Sequence, residues 1–260
     1  MPDFDITVPH SARVYNYWLG GKDNFAADRE VGERTIAAYP SVVFSVRANR
    51  AFLARAVRFL VTECGISQFL DIGTGIPTAD NTHEVAQRLK PSSRIVYVDN
   101  DPIVLSHAQA LLKSNPAGAC DYIDADMHDP AGILAAAART LDFSQPVAVM
   151  LIAVLQYGGD DDQVGGVVRA LMQACVAGSY LAISHPASDI DAEQTAEFTR
   201  RFNESAAEQM IRRDHSAVTR LFDGFELVEP GVTRTAAWRP GSDLEAKSPA
   251  ALWAGVARKG

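Results

Sequence analysis

The chain has 260 residues, 47% hydrophobic and 22% charged, which is ordinary globular composition with room for one large α/β unit or two small ones. A formal net charge of −8 argues against a general binder of nucleic acid or of an anionic membrane surface. No run approaches the roughly eighteen apolar residues of a membrane helix, and the acidic start Met1–Asp5 is unlike a signal peptide. Cys64, Cys120 and Cys175 are odd in number and lack C-x-x-C spacing, which predicts reduced, buried thiols in a cytoplasmic protein.

The first third of the chain reads as helical. Ser11 to Leu19 is apolar and aromatic and stops at Gly20-Gly21, leaving Gly20 to Phe25 as a loop that offers Lys22, Asp23 and Asn24. A second helix is expected from Asp28 to Ala38, before Pro40. A third runs from Val46 to Cys64, with Phe52, Ala56, Phe59 and Leu60 on one face and Gly65 as its cap.

Strands and helices then alternate. Gln68–Ile72 is the first strand and Ala79–Leu89 its helix; Arg94–Val98 is the second strand. Asp101-Pro102 and Asp129-Pro130 each pair an N-cap with a first-turn proline, opening helices to Lys113 and Ala138 around a third strand, Cys120–Ile123. Val147–Ala153 is a continuous apolar run of the central parallel type. Asp160 to Asp162 open a helix to Cys175, and Tyr180–Ser184 is the fifth strand. A long charged helix is expected over Ala192 to Arg213, then a short one to Phe222. Strands at Phe225–Val228 and Trp253–Ala257 flank a loop-rich stretch. The fold class is therefore α/β, a seven-stranded, mostly parallel sheet with helices on both faces. It forms a single domain over 1–260, with a helical extension over 1–66 and the core over 67–260.

The turn Asp71-Ile72-Gly73-Thr74-Gly75 joins the first strand to its helix. Gly73 and Gly75 admit close approach of a ligand to the main chain, as in many nucleotide sites. The third glycine of a dinucleotide fingerprint is missing, with Thr78 in its place. Asp71 would face a pyrophosphate with like charge but suits a cation, as in S-adenosylmethionine (SAM). A mere helix-capping role for Asp71 stays open.

Asp99 and Asp126 end the next two strands, so all three acids share one edge of a doubly wound sheet. Asp99 lies near the ~20-residue offset of a ribose-binding acid, followed by Asn100. Asp126 is placed for an adenine amino group and the Met127 N–H for the ring; Ala153 closes the fourth strand beside them.

The order D-I-G-T-G, V-Y-V-D-N-D, D-A-D and an apolar fourth strand resembles class I SAM-dependent methyltransferases. More specifically, it is similar to the actinobacterial group called simply S-adenosyl methyltransferase, formerly a domain of unknown function. The carrying segments are 9–30, 68–87, 96–112, 122–130 and 178–185, nearly the whole chain. The resemblance implies a Rossmann-like fold, SAM as methyl donor and S-adenosylhomocysteine (SAH) as product, with no substrate supplied. One departure is that Leu155-Gln156-Tyr157 stands where many relatives carry a histidine.

Other chemistries lack their residues. There is no N/D-P-P-Y/F-like motif after the fourth strand, no clustered Cys/His at zinc spacing, and no G-x-S-x-G elbow for Ser184-His185. The arginine pairs Arg200-Arg201 and Arg212-Arg213 read as a solvated face among glutamates.

Two functions fit: a methyltransferase for a small-molecule acceptor, or a SAM- or SAH-binding sensor without turnover. An NAD-dependent oxidoreductase is opposed by Asp71. Acceptor-pocket candidates are Tyr17, Trp18, Gln156, Tyr157 and His185, with His185 and Tyr17 as the catalytic candidates and no metal. Residues 10–30 are expected to fold over the sheet edge as a lid, with Lys22 or Arg47 pairing with the SAM carboxylate.

Overall fold

A computed structural model describes residues 5–104, 106 and 114–260. Three helices come first: α1 (Ser11–Trp18), α2 (Ala26–Ala38) and α3 (Val42–Thr62). The alternating part follows with β1 (Gln68–Ile72), α4 (Thr82–Leu89), β2 (Arg94–Asp99), β3 (Ala119–Asp124), α5 (Pro130–Ala137), β4 (Ala148–Ile152), α6 (Asp161–Gln173) and β5 (Tyr180–Pro186). Residues 102–104 are helical, as the Asp101-Pro102 signal predicts. The rest of that expected helix lies largely outside the described residues, as do residues 1–4.

The sheet order is β3-β2-β1-β4-β5-β8-β6. β1 to β5 pair in parallel, and β8 (Leu252–Arg258) runs antiparallel against both β5 and the short β6 (Glu226–Leu227). A two-residue strand β7 (Thr233–Arg234) also pairs with β8, giving eight strands where the sequence pattern shows seven. That strand is too short to produce a periodic signal.

Side chains alternate across the sheet. Leu70, Ile72, Val96, Val98, Val149 and Leu151 face α5 and α6. Phe69, Ile95, Tyr97 and Met150 face the other way, against Phe52, Phe59 and Leu60 of α3 and Val85 of α4. Trp238 seals this second layer edge-to-face against Phe52, ring centroids 5.3 Å apart.

The helix starts follow their caps. Asp129 accepts from Gly132 N–H at 2.9 Å, and Asp160 and Gln163 form a reciprocal capping box. The expected long helix ends early, at α7 (Ala192–Asn203). Asn203 accepts from Met210 N–H at 2.8 Å and donates to Met210 O at 3.0 Å, mimicking a backbone pair. The chain folds back there and Met210 enters the core.

α1 is docked by packing. Val14 and Trp18 are buried beside Phe198 and Phe202 of α7, each worth roughly 1.5–3 kcal/mol relative to exposure. This holds α1 at the carboxyl edge of the sheet.

Candidate functional site

A cleft of about 850 Å³, open to solvent, lies where β1, β2 and β4 end and α1 crosses above them. Its floor is the glycine turn. Gly73 N–H donates to Val98 O at 2.8 Å, and Gly75 N–H donates to Asp99 Oδ2 at 2.7 Å, so the turn is laced to the end of β2. Gly73 has φ +72°, and a Cβ there would stand 2.2 Å from Val154 Cγ2. Gly75 has φ +66° but would meet nothing within 4 Å, so the main chain there is bare toward a ligand.

Two acids are buried in this floor. Asp71 accepts from Thr82 Oγ1 at 2.6 Å. Burial nevertheless pushes its pKa up to about 6, opposed by Thr82 and by Arg50. Asp99 also accepts from Asp101 N–H at 3.0 Å and is likewise raised by burial to about 6. Each carboxylate retains lone pairs beyond these bonds, and a cationic ligand would draw both to the ionised form.

Arg50 of α3 lines the same cleft. Its NH2 donates to Ala79 O, Asp80 O and Asn81 Oδ1, each at 3.2 Å, while its Nε is buried without a partner. One wall therefore offers an unspent guanidinium N–H and the floor offers acids, a pairing that suits a ligand carrying cationic centres and one carboxylate.

The roof is the start of α1: His10, Ser11, Ala12 and Tyr15. His10 Nδ1 lies 3.1 Å from Asp101 Oδ2, and Arg13 Nε lies 3.7 Å from both Asp101 and Asp28. Burial works against protonation of His10, but Asp101, Glu208 and Asp99 outweigh it and raise its pKa. Ser11 Oγ donates to Glu208 Oε2 at 2.5 Å. The helix is thus tied across the loop that follows β2.

A second cavity of about 430 Å³ adjoins the first and shares Tyr15, Ala153 and Tyr157 with it. Trp18, Tyr39, Phe198, Gln156 and Arg212 also line it. Ala153 sits at the junction in a left-handed conformation, φ +54°, a strain that concentrates at functional sites. Its N–H donates to Ser184 O at 3.0 Å, and its carbonyl accepts from Gln156 Nε2 at 2.6 Å. Tyr15 OH donates to Val46 O at 3.3 Å and accepts from Asn49 Nδ2 at 3.0 Å; Asn49 in turn accepts from Ser184 Oγ at 2.5 Å. Burial raises the Tyr15 hydroxyl pKa, so it stays protonated at neutral pH.

Of the residues the sequence singles out, Asp71, Gly73, Thr74, Gly75, Asp99, Asn100, Met127 and Ala153 line the cleft, and Trp18, Gln156 and Tyr157 line the second cavity. Five others lie elsewhere. Asp126 is turned to His128, accepting its N–H at 2.8 Å and pairing with its Nδ1 at 2.6 Å. Lys22 is exposed, because Asn16 Oδ1 accepts from Asp23 N–H and Asn24 Nδ2 and folds the loop so that its tip faces outward. Arg47 is also exposed, one helical turn from Arg50.

Tyr17 points to Glu33, its OH donating at 3.3 Å, because positions two apart on a helix face opposite ways and Tyr15 holds the inner one. His185 is sealed in the core. Arg213 NH1 donates to its Nε2 at 2.9 Å and its Nδ1 meets Pro186 O at 3.0 Å; burial lowers its pKa to about 3. A neutral, doubly engaged imidazole has no lone pair to offer a substrate.

Arg212 and Arg213 also correct the solvated-face expectation. Arg200 and Arg201 do pair with Glu197 in solvent, but Arg213 anchors Asp161 and His185, and Arg212 enters the aromatic cavity.

The profile of the S-adenosyl methyltransferase family matches residues 1–260. A DUF574 family protein from Streptomyces avermitilis MA-4680 is 43% identical, with 98% of this chain and 99% of that chain covered at a TM-score of 0.94. A candidate methyltransferase from Thermobifida fusca YX is 44% identical over 99% of this chain and 97% of that one, TM-score 0.90. A SAM-dependent methyltransferase from Anabaena variabilis ATCC 29413, 9% identical at TM-score 0.53, shares the fold. No curated protein matches the chain.

Proposed function

The chain belongs to the S-adenosyl methyltransferase family, and on that premise we propose that it transfers a methyl group from SAM in the floor cleft to a small-molecule acceptor in the adjoining aromatic cavity. The observation that carries this reading is the shared wall: Tyr15, Ala153 and Tyr157 line both spaces, so two ligands bound there meet at Ala153. In this reading Asp99 takes the ribose hydroxyls and Met127 flanks the adenine. Asp71 faces the ammonium, and Arg50 takes the carboxylate that Lys22 and Arg47 are too far out to serve.

SAM supplies a methyl carbon on a cationic sulfur: the acceptor's lone pair bonds to that carbon, the carbon–sulfur pair returns to sulfur, and any proton the acceptor sheds passes to water. The chain contributes position. Holding donor and acceptor in contact replaces a bimolecular encounter, a large share of the barrier in such reactions. Among the described residues that line the two cavities, His10 is the only imidazole, and Asp101 engages it. The reading therefore favours an acceptor that is nucleophilic in its neutral-pH form.

The match to a methyltransferase family supports turnover over a purely binding role. Residues 1–66 act here as a cap on a single working unit. Cytoplasmic placement is supported by three unpaired cysteines; among the described residues no helix is long and apolar enough to cross a membrane.

The test is calorimetry with SAM, SAH and NAD, followed by a metabolite screen read as SAM consumption. Binding of SAM and SAH with turnover of an acceptor is expected. Tighter binding of NAD than of SAM would overturn the reading.

A further inference from the structure

The aromatic cavity carries two polar groups that the cofactor does not explain. Gln156 is buried, its Nε2 is committed to Ala153 O, and its Oε1 has no hydrogen-bond partner. An unsatisfied buried acceptor is costly unless a ligand supplies the donor. Because the amide is pinned to Ala153, this acceptor sits at the junction with the cofactor cleft.

Arg212 lines only the second cavity and is the single cation among the described residues that do so. Its Nε donates to Thr199 Oγ1 at 2.7 Å, its NH1 donates to Ala187 O at 3.2 Å, and its Cζ stacks 4.9 Å from the Phe198 ring centre. No carboxylate among the described residues pairs with it. Burial lowers its pKa to about 10, which leaves it charged at neutral pH. Two of its three nitrogens engage neutral partners, so its remaining N–H groups are available to one anionic group.

Between these groups the walls are rings: Trp18 and Phe198 lie 5.4 Å apart, and Tyr15, Tyr39 and Tyr157 line the same space. Little free space remains between these walls, which restricts the site to a compact ligand.

From this arrangement we infer that the second cavity is a subsite for a compact aromatic carboxylate bearing a ring amino group. The carboxylate pairs with Arg212, the ring lies among the aromatic walls, and an amino N–H donates to Gln156 Oε1 beside the cofactor cleft. The inference rests on the methyltransferase reading for the identity of the neighbouring ligand.

The test uses the full chain saturated with SAH and titrated with 3- and 4-aminobenzoate and with the corresponding aminobenzamides. At least one acid is expected to bind tenfold or more tighter than its amide, and Arg212→Met should bring that ratio close to one. Arg212→Lys should restore part of it. Equal binding of acid and amide by the unmodified chain, or no binding of any probe, overturns the subsite; neither result needs a variant to fold. SAH affinity measured in the same titration separates the two readings. If SAH binds and the probes do not, this inference falls alone; if SAH itself does not bind, the cofactor reading falls and takes this one with it.

Discussion

Gly75 hands its backbone N–H to Oδ2 of Asp99 across 2.7 Å, so the turn after one strand and the terminal acid of the next move as a unit. A ligand that touches the bare main chain at Gly75 is thereby within reach of a fixed carboxylate. Each holds the other in the geometry the cleft requires.

The two glycines of the turn should respond differently to alanine. Gly73→Ala puts a methyl 2.2 Å from Val154 and also forces a left-handed backbone, at about 1–3 kcal/mol for the overlap and about 1–2 kcal/mol for the conformation. Gly75→Ala has only the second cost, but its methyl stands where a ligand would lie. Urea unfolding should rank Gly73→Ala as the less stable, while SAH calorimetry should show Gly75→Ala binding at least tenfold more weakly than wild type. Equal unfolding midpoints would contradict the Val154 contact.

Asp99→Ala and Asp160→Ala should separate binding from stability. The first removes charged hydrogen bonds worth roughly 1.5–3 kcal/mol each to a ligand. The second removes the cap that accepts Gln163 N–H at 2.9 Å, costing about 0.5–2 kcal/mol of folding free energy. SAH affinity should fall in the first and hold in the second. Similar affinities in both would place the ribose elsewhere.

SAM affinity should rise between pH 5 and 7 and then level. Asp71 and Asp99 are raised by burial to about 6. A cationic ligand binds their ionised forms, so below that value binding must expel protons. Calorimetry in buffers of different ionisation heat reads the release directly. At higher pH His10 loses its proton and its pairing with Asp101, which works in the opposite direction on the roof. A flat profile from pH 5 to 7, or proton uptake, would rule out ionisation of the floor acids on binding.

Arg50→Met should weaken SAM binding tenfold or more, and Arg47→Met should leave it unchanged. Arg50 lines the cleft with an unpartnered Nε; Arg47 faces solvent. The reverse ranking would restore the exposed residue as the carboxylate partner.

His185→Phe should lower stability without altering SAH affinity in the folded fraction. It strips Arg213 NH1 of a buried acceptor at 2.9 Å, at about 1–3 kcal/mol. A variant of unchanged melting temperature but lost turnover would return His185 to the chemistry.

The floor of the cleft was legible because local rules decide it. A strand end, two glycines and an acid after the next strand place Asp71, Gly75 and Asp99 with no knowledge of distant contacts. The roof and walls were not legible, because long-range packing chooses among neighbours that look alike. Tyr15 rather than Tyr17 faces inward because α1 docks on Trp18 and Val14. Arg50 rather than Arg47 lines the cleft because of where α3 lies against the sheet. Asp126 lies outside the cleft lining for a local reason that residue type alone does not reveal: His128, two positions on, pairs with its carboxylate. Arg212 was hidden by the early end of α7, since in a continued helix it would share a face with the half-exposed Arg201.

The two raised acids of the floor also bear on how long a molecule of this protein survives. At neutral pH the cleft confines ionised Asp71 and Asp99 where burial disfavours their charge, a burden on the folded chain that the unfolded chain escapes. A ligand that binds only the folded form stabilises it by about 2.7 kcal/mol at a hundredfold excess over its dissociation constant, and proteases draw on the unfolded fraction. Scarcity of the methyl donor would then thin the standing population of the enzyme as well as starve it, and abundance in the cell would follow supply without any dedicated sensor.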